Sequence, residues 1–165
     1  LRDAVVKSVS YAKELDNLVF VASRDEYIKN RVAILKKTAG NGIVQMKVLR
    51  KEFDINSEVV LKNKLQDKNN KTFFDKLLLK LSSTIHVTKI NAAENSSNVE
   101  DIIARARAAL NIGDNNLAIN QIKTLTETDK KIYASWLDEL QDYVSATAAA
   151  EEILRYSIRP NISNM

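Results

Sequence analysis

One imidazole, scattered carboxylates and no thiol limit the bond chemistry open to this chain. His86 is its single histidine, so no histidine cluster can assemble. An isolated His in a β-branched stretch reads as an ordinary surface residue. Glu151 and Glu152 are sequence neighbours, and on a helix such neighbours point about 100° apart. Glu100 and Asp101 suit a helix N-terminus, where the macrodipole favours anions, better than acid–base work. Gly40-Asn41-Gly42 lacks the Lys-Ser/Thr that completes a phosphate-binding loop. Ser8, Ser10 and Ser23 have no histidine nearby in sequence, and no nucleophile-elbow pattern occurs. The absence of Cys removes disulfides, thiol catalysis and Cys-type zinc sites. No catalytic, metal-ligating or cofactor-binding residue is assigned, and the expectation is a protein that is not an enzyme and takes no cofactor.

Charge is the other candidate for function. The net +4 is uneven: residues 1–91 carry 18 Lys/Arg against 10 Asp/Glu, and residues 92–165 carry 7 against 11. Lys29, Arg31, Lys36, Lys37, Lys47, Arg50 and Lys51 fall in one window with no acid between Glu26 and Glu52. Such a window would favour an anionic surface, whether lipid headgroups, nucleic acid or an acidic partner; the plainer reading is a solvated helix face. The aromatic residues Phe53, Phe73, Phe74 and Trp136 sit at core spacing and do not interleave with these cations. A base-stacking platform is therefore unsupported, and no specific nucleic acid is expected.

The elements that must position these residues are helical. Apolar residues make up 45% of the 165, with only three Gly and one Pro, a balance that favours long helices and short turns. Leu1, Val5, Val9, Ala12, Leu15 and Val19 recur at helical spacing and predict one amphipathic helix over Leu1–Ser23. Asp25 is placed to cap a second, through about Ala39, that Gly40-Asn41-Gly42 ends. A short third helix carries Val44, Val48, Leu49 and Phe53. Asn56 or Ser57 would cap a fourth, and Phe73, Phe74, Leu77, Leu78 and Leu81 mark a fifth. From Ser82, "SSTIHVTKIN" turns β-branched and reads as an extended connector, followed by the small polar loop "NAAENSSN".

"VEDIIARARAALNIGDNNLAINQIKTL", Val99–Leu125, predicts an αα-hairpin. Asn98 would cap its first helix, with Ile102, Ile103, Ala106, Ala109 and Leu110 buried. Gly113 takes the left-handed position after that helix, and Asp114 caps the next, whose stripe is Leu117, Ala118, Ile122 and Leu125. A longer helix follows from near Thr128, with Ile132, Tyr133, Trp136, Leu137, Leu140, Val144 and Ala148 along one side; Trp136 should be mostly buried against the hairpin. "AALNIGDNNLAI" is similar to one tetratricopeptide unit, but no second copy recurs at a fixed period, and a solenoid needs about three.

The order of these segments resembles the C-terminal domain of the mitofilin family, in particular of bacterial mitofilin-like inner-membrane proteins. The matching stretches are "KELDNL", "TAGNGIVQMKVLRKEF", "LLLKLSSTIHV", the Val99–Leu125 hairpin, and "ASWLDELQDYVSATAAAEEIL", with Trp136 where the family commonly has a Trp. They span roughly residues 4–155. The chain departs from the pattern in its Lys, Asn and Ile content and at "QDKNNK". The resemblance implies a membrane-organising assembly module at a bacterial inner membrane, with the domain on the periplasmic side, or at crista junctions of the mitochondrial inner membrane in a eukaryote. It also implies a transmembrane helix and coiled coil upstream, self-association through helices or that coiled coil, and other membrane-organising proteins as partners. Since the first residue is Leu, the chain is expected to be an excised domain, itself soluble.

The expected fold is all-α, about seven or eight helices in antiparallel hairpins and a bundle, with one short extended segment near 84–90. The expected division is a basic subdomain at 1–83, a connector at 84–98, a hairpin plus long helix at 99–158, and a tail at 159–165. The Leu1–Ser23 helix beside the seven window cations would be the place to rest on anionic lipid. A soluble peptide-binding adaptor of tetratricopeptide-like type is the alternative function.

Overall fold

The computed structural model describes residues 1–22, 24–66 and 97–158. Among them the chain is all-α, with eight helices. They are α1 Arg2–Val6, α2 Ala12–Val21, α3 Glu26–Lys36, α4 Met46–Gln66, α5 Val99–Ile112, α6 Asn115–Lys123, α7 Glu127–Ile132 and α8 Ala134–Ser157. The expected Phe73–Leu81 helix, the extended segment and loop at 84–96, His86 and the tail lie outside the described residues. No described helix is long and apolar enough to cross a membrane.

Two compact units emerge, and they differ from the division expected at 83 and 98. The first combines Leu1–Leu49 with Asp138–Met165; the second is Arg50–Leu137. By sequence count the first holds 11 Lys/Arg against 10 Asp/Glu, and the second 14 against 11. The strong charge asymmetry along the chain is thus absent from the units, because the acidic C-terminal stretch belongs with the basic N-terminal one.

In the first unit, Val5, Tyr11, Leu15, Ile28, Val32, Leu35, Ala39 and Ile43 form one buried cluster with Ala146, Ala149, Ala150 and Ile153 of α8. The buried face of α8 therefore differs from the one expected, since Ala148 is exposed. Leu1–Ser23 is not one helix either. α1 closes at Ser8, whose φ is +56°, with Ser8 N donating to the Val5 carbonyl and Val9 N to the Ala4 carbonyl. That pair of bonds is the Schellman pattern, here with a Ser in the left-handed position. The cause of the break is at the end of α3. The Tyr11 amide and Ser10 Oγ both donate to the Ala39 carbonyl, and the Tyr11 hydroxyl donates to the Leu35 carbonyl. Leu35 is in the last turn of α3, where carbonyls lack intrahelical partners, and Ala39 is in the turn that follows. Asp25 caps α3 as expected, accepting from Ile28 N at 3.1 Å.

In the second unit, α5 and α6 pack as the predicted hairpin. Gly113 has φ +81°; its amide donates to the Leu110 carbonyl and the Asp114 amide to the Ala109 carbonyl, a second Schellman closure. Asp114 Oδ1 then accepts from Leu117 N at 2.9 Å. Asn98 holds the N-cap position, but its side chain supplies no cap hydrogen bond. The α6 stripe shifts by one contact: Ile119 is buried with Ala118 and Ile122, while Leu117 is exposed. One expected break is absent and one unexpected break occurs. α4 runs unbroken through Asn56 and Ser57, and Ser57 Oγ donates to the Phe53 carbonyl one turn back instead of capping. The helix expected from Thr128 is instead α7 and α8, parted at Tyr133 (φ −92°, ψ 3°). Thr126 caps α7, accepting from the Asp129 amide while donating to the Asp129 carboxylate.

Candidate functional site

The seven window cations do not form one free patch. Five lie in the first unit and two, Arg50 and Lys51, in the second. Lys29 pairs with Glu26 one turn away. Arg31 donates to Glu152 at 2.7 Å while its guanidinium lies 3.7 Å over the Tyr27 ring. Lys37 bridges two α8 carboxylates, Asp142 at 2.8 Å and Asp138 at 3.1 Å. Those two contacts, Asp142 first, raise its pKa above the ordinary lysine value. Arg50 Nη2 donates at 2.9 Å to the Leu110 carbonyl, one of those at the α5 C-terminus. Lys36, Lys47 and Lys51 are exposed. A solvated lysine keeps its charge available to an anion, whether on the first unit, as Lys36 and Lys47, or on the second, as Lys51.

The singled-out carboxylates are placed by pairing or by helix position. Glu151 accepts from Arg2 at 2.7 Å and Glu152 from Arg31, so these sequence neighbours serve different partners on the first unit. Glu100 and Asp101 lie in the first turn of α5. Among the described residues no group of three or more His, Asp or Glu is placed to hold a metal ion.

Trp136 is 1% exposed, and the rings it meets are Phe53 of α4 and Tyr133, where the hairpin was the expected neighbour. Its ring lies 5.2 Å from Phe53 and 5.8 Å from Tyr133, giving a three-ring cluster in the second unit. The Tyr133 hydroxyl shares a 2.9 Å hydrogen bond with Ser57, and burial raises its pKa. Arg107 sits beside this cluster, donating to Asp54 at 2.7 Å with its guanidinium 5.6 Å from the Phe53 ring. Lys64 pairs with the buried Asp129 at 3.1 Å. These contacts link residues far apart in the chain, and nothing local marks them. The Thr126-Glu127-Thr128-Asp129 cap did have a local signal, a Thr followed three residues on by an acid.

Surface apolar groups are the features that composition did not isolate. Phe20 and Val21, ending α2, are 84% and 82% exposed, and Ile112, beside Gly113, is 79% exposed. On α4, Val48, Ile55 and Val59 are exposed at spacings of seven and four, which places them on one helix face. Scans against protein-family models, curated proteins and solved structures find no match to this chain.

Proposed function

We propose that this chain is a non-enzymatic assembly module of a mitofilin-like membrane-organising protein, working through protein–protein contacts at an inner or internal membrane. The observation that carries this reading is the order of the matching stretches over most of the chain. It is supported by where those stretches fall: "KELDNL" lies within α2, the Val99–Leu125 stretch spans α5 and α6, and "ASWLDELQDYVSATAAAEEIL" begins with α8. Direct lipid contact would rest on Lys36, Lys47 and Lys51, since the other four of the seven expected cations are engaged by carboxylates or a carbonyl. The adaptor alternative has the α5–α6 hairpin in its favour, against the roughly three stacked units that a solenoid needs.

Sedimentation of the 165-residue chain over a wide concentration range tests the assembly role, with concentration-dependent self-association expected. Flotation with phosphatidylglycerol and phosphatidylcholine vesicles tests the lipid role. Changing Lys36, Lys47 and Lys51 together to Gln should abolish any preference for the anionic vesicles. A chain that stays monomeric throughout and floats with neither vesicle would overturn the proposal for this module.

A further inference from the structure

We draw no further inference here: the strongest candidate, the solvent-facing strip of α4 carrying Ile55 and Val59 between Lys51 and Lys62, is an unpartnered apolar face, and nothing in the structure shows what covers it.

Discussion

The unit formed by Leu1–Leu49 and Asp138–Met165 buries one ring, Tyr11, among small and aliphatic side chains, four of them the α8 residues Ala146, Ala149, Ala150 and Ile153. Its longest-range polar contacts are ion pairs that solvent reaches, Arg2–Glu151, Arg31–Glu152 and Lys37–Asp142, with Arg31 and Asp142 half-buried. The Arg50–Leu137 unit buries three rings, Phe53, Tyr133 and Trp136, with a shielded Ser57–Tyr133 hydrogen bond and the buried Asp129 held by Lys64. Alanines let helices approach closely but offer little area per residue, so the first unit depends on many small contacts. Large rings concentrate burial at a few positions. Damage should therefore be focal in the second unit and diffuse in the first.

The largest expected effect follows from that concentration. Trp136→Ala removes the biggest fully buried side chain and should cost about 3–5 kcal/mol, the range for large-to-small changes of buried aromatics. Denaturant titration would give the loss, and amide hydrogen exchange read helix by helix would locate it. Faster exchange concentrated in α5, α6 and α7 is the expected result. Equal acceleration in α2 and α3 would break the contrast between the units.

The two units also close a helix in the same way with different residues, which sharpens the comparison. At Gly113 a Cβ would meet nothing within 4 Å, so Gly113→Ala should cost only the left-handed strain, roughly 1–2 kcal/mol. At Gly42, φ is also positive, and a Cβ would stand 2.8 Å from the Val9 carbonyl group and 2.9 Å from the Ser8 carbonyl carbon. Backbone cannot swing aside as a side chain does, so Gly42→Ala should cost distinctly more than Gly113→Ala. Ser8 holds the left-handed position without being a glycine. Ser8→Gly should then stabilise by about 0.5 kcal/mol, strain relief partly offset by the greater entropy of the unfolded glycine chain. Urea midpoints of the three variants check the order.

The same residues show what could be read from sequence and what could not. Gly113-Asp114 was legible because a left-handed closure favours Gly and an N-cap favours a small set of residues that includes Asp. The closure at Ser8 was not, because Val9 and Ala12 continue the helical spacing and the reason to stop lies at Leu35 and Ala39. Leu117 and Ile119 differ by two positions, and periodicity alone does not decide which of them faces the core. The pairing of the window cations was illegible for a related reason. Charge counted along the chain cannot show that Arg31 and Lys37 meet carboxylates more than a hundred positions away.

Each unit contains a buried tyrosine whose hydroxyl is hydrogen-bonded, Tyr11 in the first and Tyr133 in the second. Burial, the largest cause in both, raises both pKa values. A folded pKa raised above the unfolded one gives a contribution fully present below the unfolded value of about 10 and lost as pH rises from there. Tyr133→Phe should be less stable than the parent at neutral pH by about 1 kcal/mol, the usual net worth of one hydrogen bond. That deficit should shrink as pH climbs past about 10, because only the parent then loses the tyrosine contribution. Urea unfolding at a series of alkaline pH values is the measurement, and a deficit constant with pH would remove the tyrosine from the account.

The smallest effect concerns the ion pairs. Arg31→Gln and Lys37→Gln should each shift the melting midpoint only slightly, because pairs that solvent still reaches gain little against side-chain entropy and screening. Their value lies in salt dependence. Raising ionic strength to about 1 M shortens the Debye length to about 3 Å, so the difference between each variant and the parent should fade toward zero. The second unit supplies the control: Asp129 is buried beside Lys64 and keeps its Thr126 hydroxyl bond, so salt reaches that pair far less. Lysine chemistry adds a pH arm. The carboxylates raise the Lys37 pKa, so its contribution is complete below the unfolded lysine value of about 10.4 and disappears as pH rises through the folded one. A Lys37→Gln difference that survives high salt would mean that the lysine stem packs on α8, and the first unit would then depend on contact area at that position more than on charge.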